Sequence, residues 1–103
     1  MKKKLVPALA VAILMLGACA GPTADEFRQR DLEGNTACLH FGSGYMDDGS
    51  VGRANLAKAA EHGAASSTEI IRAAVSLNGS GTPVIEDREL FKSACEAQGM
   101  SFK

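Results

Sequence analysis

Beyond residue 23 the apolar positions recur with helical spacing. At about 100° per residue, Phe27, Gly34, Cys38, Phe41 and Tyr45 fall on one narrow stripe, and Leu32, Leu39 and Met46 form a second stripe beside it. Together they predict one long amphipathic helix over residues 24–45. Thr23 and Glu26, three apart, form a capping box at its start. Gly34 and Asn35 weaken its middle, both below Ala in helix propensity, so the helix divides there if it is two. Asp47-Asp48-Gly49-Ser50 then supplies a turn, with Ser50 a natural N-cap.

A second helix is expected over residues 51–62, with Ala54, Leu56, Ala57 and Ala60 apolar and Gly63 as its stop. Ser66 and Glu69 offer another capping box before a third helix, over residues 67–77. That segment is apolar around so much of its circumference that it is expected to lie centrally, with Ile71 and Val75 buried. Ile70 and Leu77 are then the candidates for a partner-binding surface. The run Asn78-Gly79-Ser80-Gly81-Thr82-Pro83 breaks the periodicity, and residues 82–85 are too short a β-like stretch to form a sheet alone. Asp87 caps a fourth helix running to Gln98, with Leu90, Phe91, Ala94 and Cys95 inward and Gly99 at its end. Met100 and Phe102 are placed to fold back over that terminus. The expected fold class is all-α: a small bundle of three to four helices.

The chain before residue 24 reads differently. Lys2, Lys3 and Lys4 precede an apolar run from Leu5 to Leu16, and apolar or small residues continue to Ala20. These 16 residues fall short of the roughly 20 that a helix needs to cross the hydrocarbon layer, and Pro7 interrupts them. A secretory signal fits better. Its last residues, Leu16-Gly17-Ala18-Cys19, resemble the lipobox of bacterial lipoproteins. The resemblance implies lipidation of the Cys19 thiol and cleavage after Ala18. Residues 1–18 are then a signal peptide, residues 19–23 the lipidated cysteine and a short tether, and residues 24–103 the helical domain. It also implies a protein facing out of the cytoplasm, held at the cell membrane or outer membrane by palmitate-type acyl chains. Ala20 stands where inner-membrane retention in Gram-negative lipoproteins is associated with aspartate.

Processing changes the charge picture. The whole chain carries 11 Lys and Arg against 12 Asp and Glu, and removal of the three signal lysines leaves 8 against 12. A mildly acidic domain has no basic stripe for phosphates, which excludes nucleic acid as a partner. It is not drawn to anionic lipid either, so membrane attachment must come from the acyl chains. The cysteine count changes as well. With Cys19 committed to lipid, Cys38 and Cys95 remain as an even pair outside the cytoplasm, which favours a disulfide over two buried thiols. The bridge would close a loop of about 57 residues, worth on the order of 4 kcal/mol in the chain-entropy model.

Catalytic chemistry finds little support. Asp47 and Asp48 lack the alternating oxygen ligands of a calcium loop. Glu61-His62 lacks the remaining residues of the zinc-protease motif. Cys38, His40, His62 and Cys95 lack the tight paired spacing of zinc sites, so no metal or other cofactor is expected. His40 is expected to be exposed or flanking, and His62 to sit near a helix C-terminus. Ser66, Ser67 and Thr68 have no glycine-framed elbow. The expectation is therefore not an enzyme but a lipid-anchored envelope module that binds another envelope or phage protein, as accessory, inhibitor or exclusion factor. The alternative is a carrier of small apolar ligands, with a pocket between helices lined by Phe41, Ile71 and Phe91.

Overall fold

The computed structural model describes residues 21–102. The expected signal peptide and Cys19 lie outside the described residues. Five helices and two short strands are present among the described residues: α1 (Ala24–Arg30), α2 (Leu32–Gly44), α3 (Ser50–Ala64), α4 (Glu69–Ala73), β1 (Ser76–Leu77), β2 (Pro83–Val84) and α5 (Arg88–Glu96). The domain is thus mostly helical, with a small sheet that the sequence pattern did not predict.

The capping box forms as expected: the Thr23 amide donates to Glu26 Oε1 at 3.0 Å, and the Glu26 amide donates to Thr23 Oγ1 at 3.2 Å. The expected long first helix is two, and the break falls at Asp31 rather than at Gly34 and Asn35. Asp31 leaves helical geometry at φ −145° and ψ 83°. Its amide still closes α1 on the Phe27 carbonyl, while its carboxylate opens α2 by accepting from the Gly34 amide at 2.9 Å. A side chain that can cap decides the division, not the weak formers after it.

α2 and α3 form an antiparallel helical hairpin. Ser50 is the first residue of α3 and Gly49 its N-cap, with no side-chain capping bond. α3 also runs through Gly63, which keeps ordinary helical φ. Gly63 has a packing role: a Cβ there would lie 2.8 Å from Val75 Cγ2 and 3.1 Å from the Phe91 ring.

The expected helix over residues 67–77 is the main correction. α4 occupies only its first half, and the chain then extends, pairing Ser76 with Val84 and Leu77 with Pro83 in antiparallel register. The connecting loop is built on Asn78, whose Oδ1 accepts from the amides of Ser80 at 2.9 Å and Thr82 at 3.0 Å. Gly81 supplies the left-handed residue at φ +79°. A short apolar run has no periodicity that separates strand from helix, and here a second extended segment was available to pair with it.

α5 starts on Asp87 as expected, its carboxylate accepting from the Leu90 amide at 3.0 Å. After it, Gly99 at φ +97° turns the chain back. The amides of Gly99 and Met100 close on the carbonyls of Glu96 and Cys95, the Schellman pattern. This carries Met100 and Phe102 onto the core. Phe41 is the hub there, with ring centres 5.0 Å from Phe91, 5.1 Å from Tyr45 and 5.6 Å from Phe102. Beside it the Cys38–Cys95 disulfide joins α2 to α5.

Candidate functional site

Three arrangements bear on function: a buried carboxylate clasp, a histidine pair, and a set of uncovered apolar side chains.

Asp31 is buried, yet it is a fully partnered anion. Its carboxylate accepts from Ser66 Oγ at 2.5 Å, Thr68 Oγ1 at 2.6 Å, the Gly34 amide at 2.9 Å, and the Ser67 and Thr68 amides at 3.2 Å each. Burial alone would raise its pKa. The hydrogen bonds from Ser66, Thr68, Gly34 and Ser67 outweigh that and hold the carboxyl well below the ordinary carboxylate range. The expected Ser66–Glu69 capping box gives way to this clasp; α4 is capped by Thr68 without a side-chain bond. Ser66 is 2% exposed and donates to a carboxylate, so it sits in a structural tie rather than in a nucleophile's position. Sequence reasoning passed over Asp31 because three of its four partner residues lie 35–37 positions away.

The chain's two histidines meet across the helical hairpin. The rings of His40 on α2 and His62 on α3 are stacked, with centres 5.7 Å apart and planes within 4°. His62 Nδ1 bonds Glu33 Oε1 at 2.8 Å, and His40 Nδ1 bonds Asn55 Oδ1 at 3.0 Å. The cysteines of the four-residue set considered above are bridged to each other, so they are not thiolates. Among the described residues no three His, Cys, Asp or Glu side chains converge on one point.

The apolar residues of the expected third helix differ in burial. Ile71 is fully buried, while Ile70 is 47% and Leu77 66% exposed. Val75, expected to be buried, is half-buried against Gly63 and the core. Leu90, expected inward, is exposed. The second stripe differs more: Leu32 and Leu39 are exposed because α2 turns only its Phe41 face to the core, and Met46, in the turn after α2, is exposed as well. Their spacing of seven was legible in the sequence, but nothing in it said that no neighbour would cover them.

Phe41, Ile71 and Phe91 are fully buried and belong to one packed cluster. Open grooves lie elsewhere. One of about 250 Å³ runs between α3 and β2, walled by Leu56, Ala57, Pro83, Val84 and Ile85. Another, of about 370 Å³, lies at the N-terminal end between α1, Leu39 and Met100. No described helix is long and apolar enough to cross a membrane. Comparison with protein-family models, with curated proteins and with solved structures finds no match for this chain.

Proposed function

We propose that this chain is an exported bacterial envelope protein, anchored by lipid on Cys19, whose domain is a non-enzymatic module that binds another envelope or phage protein. The observation that carries the reading is the pairing of Cys38 with Cys95. It leaves over one cysteine of three, Cys19, the one that follows Leu16-Gly17-Ala18. A disulfide suits an oxidising compartment, and a leftover cysteine at the end of a signal-like run has a chemical use as the acyl acceptor.

Binding rather than carriage is supported by the packing. The three side chains that would line a carrier's pocket are buried against each other, whereas Ile70 and Leu77 stand in solvent. Exposed apolar side chains of this size mark interaction surfaces when they form a patch. A photo-crosslinking residue at position 70 or 77, introduced into the lipidated protein in its native envelope, should give a discrete adduct. The same residue at exposed Lys58 should not. Equal capture at all three positions, or none at 70 and 77, would reject the partner surface. A tightly bound apolar molecule co-purifying with the domain would instead support the carrier.

A further inference from the structure

We propose that His40 and His62 together form a binding site for a borderline divalent transition-metal ion, with Cu(II) held most tightly. These are the two histidines of the chain, 22 positions apart in sequence, and the α2–α3 hairpin brings their rings into one parallel pair. Both are half-buried.

The hydrogen bonds settle which ring nitrogen is available. Asn55 Nδ2 donates to the Val51 carbonyl at 3.2 Å, so the Asn55 amide presents its oxygen to His40. Glu33 presents a carboxylate oxygen to His62. Both partners are acceptors, so each Nδ1 carries the hydrogen, and in the neutral imidazole the lone pair is on Nε2. No described residue bonds either Nε2. The anchors also lie toward opposite ends of the hairpin, Glu33 in the first turn of α2 and Asn55 near the α2–α3 turn.

This is the outer-shell arrangement of a metal-ligating histidine: the second ring nitrogen is donated to a carboxylate or carbonyl, which fixes tautomer and orientation. Here it occurs twice, on adjacent rings. χ2 of histidine is a broad torsion, and the proposed site requires rotation about it to aim both Nε2 atoms at one ion. Two imidazoles suit Cu, Zn and Ni, and among divalent ions the affinity order places Cu(II) first. With two protein ligands the remaining positions belong to water, and the Glu33 carboxylate adds favourable charge nearby.

The test is titration of the purified full-length protein with Cu(II), read by calorimetry and by electron paramagnetic resonance. The expected result is one Cu(II) per chain with a two-nitrogen hyperfine pattern. His40→Gln and His62→Gln should each weaken binding at least about tenfold and leave one nitrogen, while Glu33→Ala should weaken it by about tenfold with two nitrogens kept. Wild-type affinity in both histidine variants, or a one-nitrogen signature in the wild type, overturns the site. A measurement needing no variant is the imidazole 15N spectrum with Zn(II). Both Nε2 resonances should shift together; a shift of one alone, or of neither, also overturns it.

Discussion

Asp31 ends one helix, begins the next, and ties both to the Ser66–Thr68 segment through a single carboxylate. Asp31→Ala should therefore cost about 3 kcal/mol in a urea melt, since buried donors left without a partner cost about 1–3 kcal/mol each. Gly34→Ala should cost a similar amount by another route. Its Cβ would stand 2.2 Å from Asp31 Oδ2 and 2.8 Å from Ser66 Oγ, so the methyl displaces the carboxylate. Because both changes break the same clasp, the double variant should lose clearly less than the two losses added. Acid gives an independent reading. The folded carboxyl is held below its ordinary value of 3.8, so on acidification the unfolded chain takes up the proton first. The clasp's stabilisation should be complete above about pH 5 and decline as pH falls through and below that value. The stability difference between wild type and Asp31→Asn, followed by urea melts from pH 6 to pH 3, should shrink accordingly. A difference constant over that range would show that Asp31 is not the anion described. Ile71 and Leu77 make a second residue-scale contrast. Ile71→Ala should cost about 2–5 kcal/mol as a large-to-small change in a packed core, while Leu77→Ala should change thermal stability by no more than about 0.5 kcal/mol.

Between elements, the glycines and cysteines set the approach distances. Helix propensity alone makes Gly63→Ala stabilising by about 1 kcal/mol. The structure reverses the sign, because the new methyl meets the stiff Val75 side chain and the buried Phe91 ring. A net loss of about 1–3 kcal/mol is expected for such overpacking, and a raised melting temperature would show that α3 and α5 do not meet there. The disulfide joins α2 to α5, its cysteines 57 positions apart in sequence. Replacing both cysteines by alanine should cost about 2–5 kcal/mol, and intact mass of the non-reduced protein should show no free thiol at Cys38 or Cys95. Several helix ends were legible because their signals are local: Thr23 with Glu26, Asp87 with Leu90, and Gly99 before Met100. The α4 segment was not. Ile70, Ile71, Ala74, Val75 and Leu77 satisfy a helical pattern as well as a strand. Which one wins past Ala73 depended on whether Pro83–Val84 would arrive alongside.

For the whole molecule, the proposed anchor is the property most open to direct test. Cys19→Ser should abolish fatty-acid labelling and release the protein from the membrane fraction, while the thermal melt and the Cys38–Cys95 bridge stay unchanged. Equal labelling of wild type and variant would remove the lipoprotein reading and leave the fold untouched. The acidic balance of the domain, 8 basic against 12 acidic residues once Lys2, Lys3 and Lys4 are set aside, leads to a companion expectation. The unlipidated domain should not bind vesicles of anionic lipid at low salt, where electrostatic attraction is strongest.

Sequence by itself determined the helices whose caps lie within a turn of their first or last residue, the inward Phe27–Cys38–Phe41–Tyr45 stripe, and the pairing of Cys38 with Cys95. Local hydrogen bonds, helical periodicity and the two cysteines left once Cys19 is set aside need no knowledge of how the chain packs. Tertiary structure alone decided the clasp of Asp31 on Ser66 and Thr68, the β-hairpin, the meeting of His40 with His62, and the exposure of Leu32, Leu39 and Met46. Each of these depends on a partner from a distant part of the chain, or on none arriving. A carboxylate becomes a clasp, an apolar row becomes a surface and two histidines become a pair only when packing sets what stands opposite them.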